Sequence, residues 1–300
     1  MHKIEAEAII KDYEAAGQSL DDFVSNLECV LISKTSNSIE FDLKGCHPSL
    51  ANALRRIMIA DVPTMAIENV FIYENNTIFP DEYLAHRLGL IPMNANADEF
   101  TDYDCENEDY GNTLSFKLHK VNNTDEVINC TSDDIEFCPI EGQDTSDTLL
   151  KKNVLICKLA PRNEIEMIMK ATKGSGETHA KWSPVSLCSY RIMPRIVLER
   201  DFYGEEAVEL QKCFSDGVIG IVDGRAVVVN PRADSLSREV LRHEKFKDNV
   251  KLLRESGWFC FTVETIAEDP LVVVKKAIRI LIESTRNLKE ELKQLNESYD

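Results

Sequence analysis

The stretch CHPSLANALRRIMIADVP, residues 46–63, decides how the rest of the chain is read. Pro48 suits a first helical position, where its missing N–H is no loss and its fixed φ is already helical. Leu50, Ala53, Leu54, Ile57 and Asp61 follow helical spacing, and Pro63 closes the element. The spacing predicts a short helix with a strong apolar face that carries two adjacent arginines, Arg55 and Arg56. A second helix is written near the far end. Asp269 can cap it and Pro270 can start it. Leu271, Val274, Ile278, Leu281, Thr285, Leu288, Leu292 and Leu295 then alternate steps of three and four. That is a heptad seam of about 25 residues, roughly 37 Å long at 1.5 Å per residue. Val272, Val273 and Ile282 widen its apolar surface in the first half. A helix with two apolar edges needs two things to pack against. A sheet of the same chain can cover one and a partner chain the other; burial of the whole helix in this chain's own core stays open as the alternative.

Between these helices the pattern is that of strands. NLECVLISKTSNSIEFDL (26–43) holds two strand-like runs around a Ser-Asn turn, and MAIENVFIYENN (65–76) alternates. PDEYLAHRLGL (80–90) reads as a short helix, with Asp81 and Glu82 near the positive end of its dipole. Residues 112–121, 153–160 and 164–172 alternate well enough for an antiparallel sheet with one wet face. Residues 186–199 are a strand run interrupted by Pro194, and 217–230 a hairpin with Asp-Gly at its turn. Residues 235–246 read as a short helix capped by Ser235 or Ser237, and 257–266 as a strand. The fold class is therefore α+β.

Acids outnumber bases 52 to 34, a formal net charge of −18. That argues against a grip on nucleic-acid phosphates, which needs clustered Lys and Arg, and against a polybasic membrane surface. No apolar run approaches the roughly 18–20 residues of a spanning helix. MHKIEAEAIIKDYEAAGQ lacks the apolar core of a signal peptide, so a cytosolic or nuclear protein is expected. The acidity is local: residues 98–147 hold fifteen acids and two bases, whereas 231–300 hold thirteen of each. Residues 97–112 and 141–148 read as acidic, polar loops. The nine cysteines include no C-x-x-C, and most are expected to be small buried thiols.

Candidate chemistry is sparse. GSGETHAKW (174–182) is not a P-loop and reads as a glycine-rich turn. His179 with Cys188 is a possible base and nucleophile, without an evident orienting acid. Cys130 and Cys138 with His119 are possible zinc donors, but structural zinc sites favour closely paired ligands. Asp81, Glu82 and His86 share one helical segment and could imitate a metal set, although a solvated first turn explains them. An interaction protein is favoured over an enzyme.

Six words of sequence carry a resemblance. LANALRRIMIADVPTMAIENV (50–70) followed by PDEYLAHRLGLIPM (80–93) resembles the signature of the alpha-like subunits of cellular RNA polymerases, and HAKWSPV (179–185) a second signature of the eukaryotic and archaeal branch. SYRIMP (189–194), NPRADSLSREVLRHE (230–244) and WFCFTVET (258–265) resemble the form shared by polymerases I and III rather than its polymerase II counterpart. The resemblance implies a split dimerisation domain, 1–60 and 184–300, interrupted by a β-rich insert at 61–183. A ferredoxin-like remnant is expected at about 204–245. It implies a non-catalytic subunit that pairs with a small alpha-like subunit. That pair would form the platform for the second-largest subunit, with contacts to further small subunits. No sequence-specific nucleic-acid contact and no membrane contact are expected. Transcription of rRNA, tRNA and 5S rRNA in the nucleus, including the nucleolus, follows as an expectation; the equivalent polymerase II subunit is the alternative. By the same analogy Leu50, Leu54, Ile57, Met58, Ile278, Leu281, Ile282 and Leu288 would form the heterodimer seam. Arg55, Arg56, His179 and Lys181 would touch the large subunit. The polymerase II relative carries a zinc loop of clustered cysteines, and some archaeal relatives carry an iron–sulfur module. Here the matching stretches offer only Cys105, with Cys130 and Cys138 distant, and only Cys213, so neither zinc nor a cluster is expected.

Overall fold

The computed structural model describes residues 2–4, 9–11, 20–101, 113–139 and 149–299, with side chains described within 21–101, 113–139 and 149–296. The expected acidic loops therefore fall largely outside the described residues, at 102–112 and 141–148. In chain order the elements are β1 (His2–Ile4), β2 (Ile9–Lys11), α1 (Leu20–Asn26), β3 (Glu28–Lys34), β4 (Ser38–Lys44), α2 (Pro48–Ala60), β5 (Thr64–Asn75) and α3 (Asp81–Gly89). They continue with β6 (Leu114–Val121), β7 (Ile128–Thr131), β8 (Ile135–Phe137), β9 (Leu155–Leu159), β10 (Glu164–Gly174) and β11 (Val185–Leu198). The last are α4 (Gly204–Lys212), β12 (Ile219–Val222), β13 (Arg225–Val228), β14 (Val250–Thr265) and α5 (Pro270–Tyr299). Helices and antiparallel sheets together make the α+β class that the periodicities predict. Among the described residues no helix is long and apolar enough to cross a membrane.

A six-stranded sheet has the order β2-β1-β14-β4-β3, with β11 also paired to β14. A second sheet runs β5-β10-β6-β8, and β12-β13 and β7-β9 are two-stranded. Packing divides the chain into two compact units, each assembled from separated stretches. One comprises residues 1–34, 40–52 and 189–262; the other comprises 35–39, 53–188 and 263–300.

In the second unit β10 shows why an alternating sequence becomes a half-buried strand. Ile165, Met167, Met169 and Ala171 are buried while the residues between them are partly open, the period of two that a pleated strand imposes. These side chains join Leu114, Phe116 and Leu118 of β6 and Leu84 and Leu88 of α3 in one core. Full burial of each large apolar side chain contributes about 1.5–3 kcal/mol. The glycine-rich turn after β10 has a packing reason. A Cβ on Gly174 would lie 2.5 Å from Cε2 of Trp182, and one on Gly176 would lie 2.2 Å from the carbonyl oxygen of Ile59.

In the first unit Phe41 of β4 stacks on Phe261 of β14 with ring centroids 4.9 Å apart. Phe202, Leu210, Val218, Ile219, Ala226 and Phe246 form a core around α4 and the β12-β13 hairpin. Asp223 and Gly224 turn that hairpin at φ 51° and 75°, as the Asp-Gly pair predicts. Two expectations need correction. Pro194 does not interrupt β11, which runs unbroken from Val185 to Leu198. Among the described residues β11 has one strand partner, β14, and an edge strand tolerates the missing N–H. The helix expected over 235–246 is only a 3₁₀ turn, Glu239–Arg242. Leu236 and Arg238 sit at φ 60° and 59°, which an α-helix near −63° cannot pass through.

Candidate interaction surface

Helix α5 begins as its sequence dictates. Asp269 Oδ1 accepts a hydrogen bond from the Leu271 amide at 2.7 Å, and the Asp269 carbonyl accepts from the amides of Val272 and Val273. Its first turns are anchored in this chain: Val273, Val274 and Ala277 are buried. Lys276 is buried with them, and its ammonium lies 2.8 Å from Glu268 and 3.8 Å from Asp98. Beyond that point the seam is open. Ile278 and Ile282 are 43% and 44% exposed, and Leu288, Leu292 and Leu295 are 58%, 53% and 54% exposed. Leu281 is half-buried. Among the described residues the first turns pack inside the chain and the later seam positions stay exposed, so burial of the whole helix in its own core does not describe this fold.

Helix α2 behaves differently. Its sequence holds two overlapping apolar stripes, and Ala51, Leu54, Met58 and Val62 turn inward. Leu54 and Ile57 are buried and Met58 is completely so, whereas Leu50 is half-buried. The surface that the resemblance gives to a partner at Leu54, Ile57 and Met58 is already covered by this chain. Of the four, Leu50 keeps appreciable surface. Arg55 is half-buried and Arg56 is exposed. Asp61 feels the neighbourhood: burial and the Glu177 charge raise its carboxyl above the usual range, and the Arg56 charge only partly offsets them.

The remaining site residues lie on the turn before β11. His179 is exposed, and its Nδ1 accepts a hydrogen bond from the Lys181 amide at 3.1 Å. Lys181 points inward. Its ammonium donates to the Ile67 carbonyl at 3.0 Å, pairs with Glu68 and lies 4.4 Å from the Trp182 ring centroid. Its charge is thus already engaged inside the chain, and His179 is the more open of the two.

The catalytic candidates dissolve into structural contacts. Cys188 is buried with its thiol 3.8 Å from the Arg55 carbonyl, and burial pushes its pKa up to about 12, the wrong direction for a thiolate nucleophile. His119 Nε2 lies 3.0 Å from Glu164, and Cys138 is exposed with its thiol 3.9 Å from the Glu136 carbonyl. Cys130 faces Cys157 across β7 and β9. Asp81 accepts from the Asn75 side chain at 2.7 Å. Among the described residues no three His, Cys, Asp or Glu side chains group as a metal site requires. Sequence reasoning missed the Lys276–Glu268–Asp98 cluster and the Cys130–Cys157 contact. Both join residues that only the fold brings together, so no local spacing could signal them.

The structure therefore defines an α+β protein with one long helix that is anchored at its start and carries an exposed apolar seam beyond. The chain belongs to the family of the RNA polymerase Rpb3/Rpb11 dimerisation domain, whose model matches residues 40–285. It is 38% identical to the human protein named DNA-directed RNA polymerases I and III subunit RPAC1, over 91% of this chain and 86% of that one. It is 36% identical to the Saccharomyces cerevisiae protein of the same name, over 90% and 89%. An Arabidopsis thaliana protein named DNA-directed RNA polymerases II, IV and V subunit 3 is 30% identical over 87% and 88%. The resemblance carried by the six words of sequence holds at the level of the family.

Proposed function

We propose that this chain is a non-catalytic subunit of DNA-directed RNA polymerases I and III, active in the nucleus, including the nucleolus. It pairs with a small alpha-like subunit, and the pair supports assembly of the second-largest subunit and of further small subunits. Transcription of rRNA, tRNA and 5S rRNA depends on it through that assembly. In this reading residues 1–60 and 184–300 form the dimerisation domain around the insert 61–183, and neither zinc nor an iron–sulfur cluster is required. The observation that carries the proposal is the open seam of α5, Ile278 to Leu295, in a chain that belongs to a dimerisation-domain family. Leu50, Ile278, Leu281, Ile282 and Leu288 are the seam residues with surface to offer. Arg55, Arg56 and His179 are the contacts toward the large subunit.

The names of the relatives favour polymerases I and III over polymerase II, since identity is 38% and 36% to the former and 30% to the plant subunit named for polymerases II, IV and V. The test is to tag the chain in its native cells, purify it at moderate salt and identify its companions. Large subunits of polymerases I and III with one small alpha-like chain are the expected result. Polymerase II subunits alone would move it to the sister branch, and a lone monomer would end the assembly reading.

A further inference from the structure

Cys130 and Cys157 stand directly opposite each other on the antiparallel ribbon β7-β9. Opposed residues carry their side chains on one face with Cβ atoms about 4.5–5.5 Å apart. A disulfide needs about 3.5–4.5 Å between Cβ atoms and 4.4–6.8 Å between Cα atoms, so closing the bond asks for a small approach and no change of register. Both cysteines are free, and Cys130 is fully buried while Cys157 keeps 4% of its surface. Arg87 of α3 reaches the same ribbon: its Nη2 donates to the Leu155 carbonyl at 2.6 Å, and its Nε is buried with no hydrogen-bond partner among the described residues. Lys120 approaches from β6, held at 2.6 Å by Asp134.

The two sulfurs are unlike. Interaction with Cys130, helped by the Arg87 and Lys120 charges, holds the Cys157 thiol below its ordinary range against burial and the Asp134 charge. Interaction with Cys157, together with burial, drives the Cys130 thiol up. Cys157 is thus the more acidic of the two and, with 4% of its surface open against none for Cys130, the more accessible, the division that an attacking and a resolving thiol need.

We propose that Cys130 and Cys157 are a peroxide-responsive dithiol that closes to a disulfide across β7-β9. The Cys157 thiolate attacks one oxygen of hydrogen peroxide. The O–O bond breaks, the sulfur becomes a sulfenic acid, and the departing hydroxide takes a proton to leave as water. The Cys130 sulfur then attacks the Cys157 sulfur, forming the S–S bond and expelling the sulfenic oxygen, which leaves as a second water with the Cys130 proton. Two thiols are oxidised by two electrons and one peroxide is reduced to two waters. A dithiol reductant reverses the state. Peroxide is close to water in size, and the 4% of Cys157 that is open is its way in.

The test uses the full chain, reduced, desalted and treated with hydrogen peroxide. Remaining thiols are then alkylated and the chain is digested without reduction for mass spectrometry. The expected product is a peptide pair linked through Cys130 and Cys157, lighter by two hydrogens, formed before Cys46, Cys188, Cys213 or Cys260 reacts and removed by dithiothreitol. The crosslink should raise the thermal midpoint by roughly 5–10 °C, since it closes a loop of 27 residues. In the folded Cys130→Ser variant the sulfenic acid has no resolving partner, so dimedone should label Cys157. If Cys130 and Cys157 remain thiols after exposed Cys29 and Cys138 are consumed, or if Cys130 links to Cys138 instead, the proposal fails. The wild-type reading decides the matter alone if the variant does not fold.

Discussion

Replacement of Leu288 by aspartate separates a solvent-facing helix from one waiting for a partner. Leu288 is 58% exposed, so within this chain the change touches little, and its effect on folding should stay near 0.5 kcal/mol. Full burial of a leucine contributes about 1.5–3 kcal/mol, so covering the remaining 58% on pairing contributes about 1–1.7 kcal/mol. Leu288→Ala loses most of that increment, roughly a tenfold weakening at 1.4 kcal/mol per decade. Leu288→Asp loses it too and places a carboxylate against an apolar partner surface, a further cost of at least about 2–3 kcal/mol. The sum of about 4 kcal/mol is roughly a thousandfold loss, enough to empty a pull-down. The assay is quantitative recovery of the small alpha-like subunit on tagged wild type, Leu288→Ala and Leu288→Asp, with thermal melts of each chain. Graded loss with unchanged melting is expected. Full recovery of the small subunit on Leu288→Asp would mean that the seam faces solvent in the assembly, and the pairing reading would fall.

Asp134 gives a pH signature. Burial alone would raise its carboxyl, but the Lys120 ammonium at 2.6 Å and the Thr131 amide at 2.8 Å bring it below the ordinary range. A depressed folded-state pKa contributes stability above the unfolded carboxylate value, and that stability is lost as pH falls through the folded-state value. Asp134→Asn should cost about 1 kcal/mol in a neutral melt, and the difference from wild type should close in acid; a pH-independent gap would contradict the ion-pair account. Gly174→Ala should cost about 1–3 kcal/mol in chemical denaturation, because Trp182 is fixed by its Nε1 hydrogen bond to the Thr172 carbonyl at 3.1 Å and cannot yield to a Cβ at 2.5 Å. Unchanged stability would show that the ring is free to move.

Local patterns decided much of this fold because they are local physics. The Asp223-Gly224 turn needs only two residues willing to take positive φ. The alternation in β10 needs only a face to bury. Where the sequence misled, the deciding interaction was not local. Leu236 and Arg238 carry no glycine signal, yet both adopt left-handed backbone, and the expected helix stops short. Helix periodicity identifies apolar stripes on α2 but does not say which stripe the chain itself will cover, and Met58 went inward. Cys130 and Cys157 are 27 residues apart, so their contact depends on β7 and β9 pairing in one register.

The same limit applies to α5, and there the structure adds what the heptad could not. A 30-residue helix with an unpaired seam would fray if it stood on propensity alone, and its ordering would then weaken any binding event. Here the cost is met early. The Asp269 cap, the burial of Val273, Val274 and Ala277, and the Lys276–Glu268 pair at 2.8 Å fix the first turns within this chain. Helix propagation is cheap once nucleated, so the seam from Ile278 to Leu295 is presented on a helix that already exists. A partner helix would then use its contacts for affinity rather than for folding its target. The anchor and the seam lie on the same helix but differ in what they touch: loss of Lys276 falls on the chain's own stability, whereas on the proposed reading loss of Leu288 falls on the assembly.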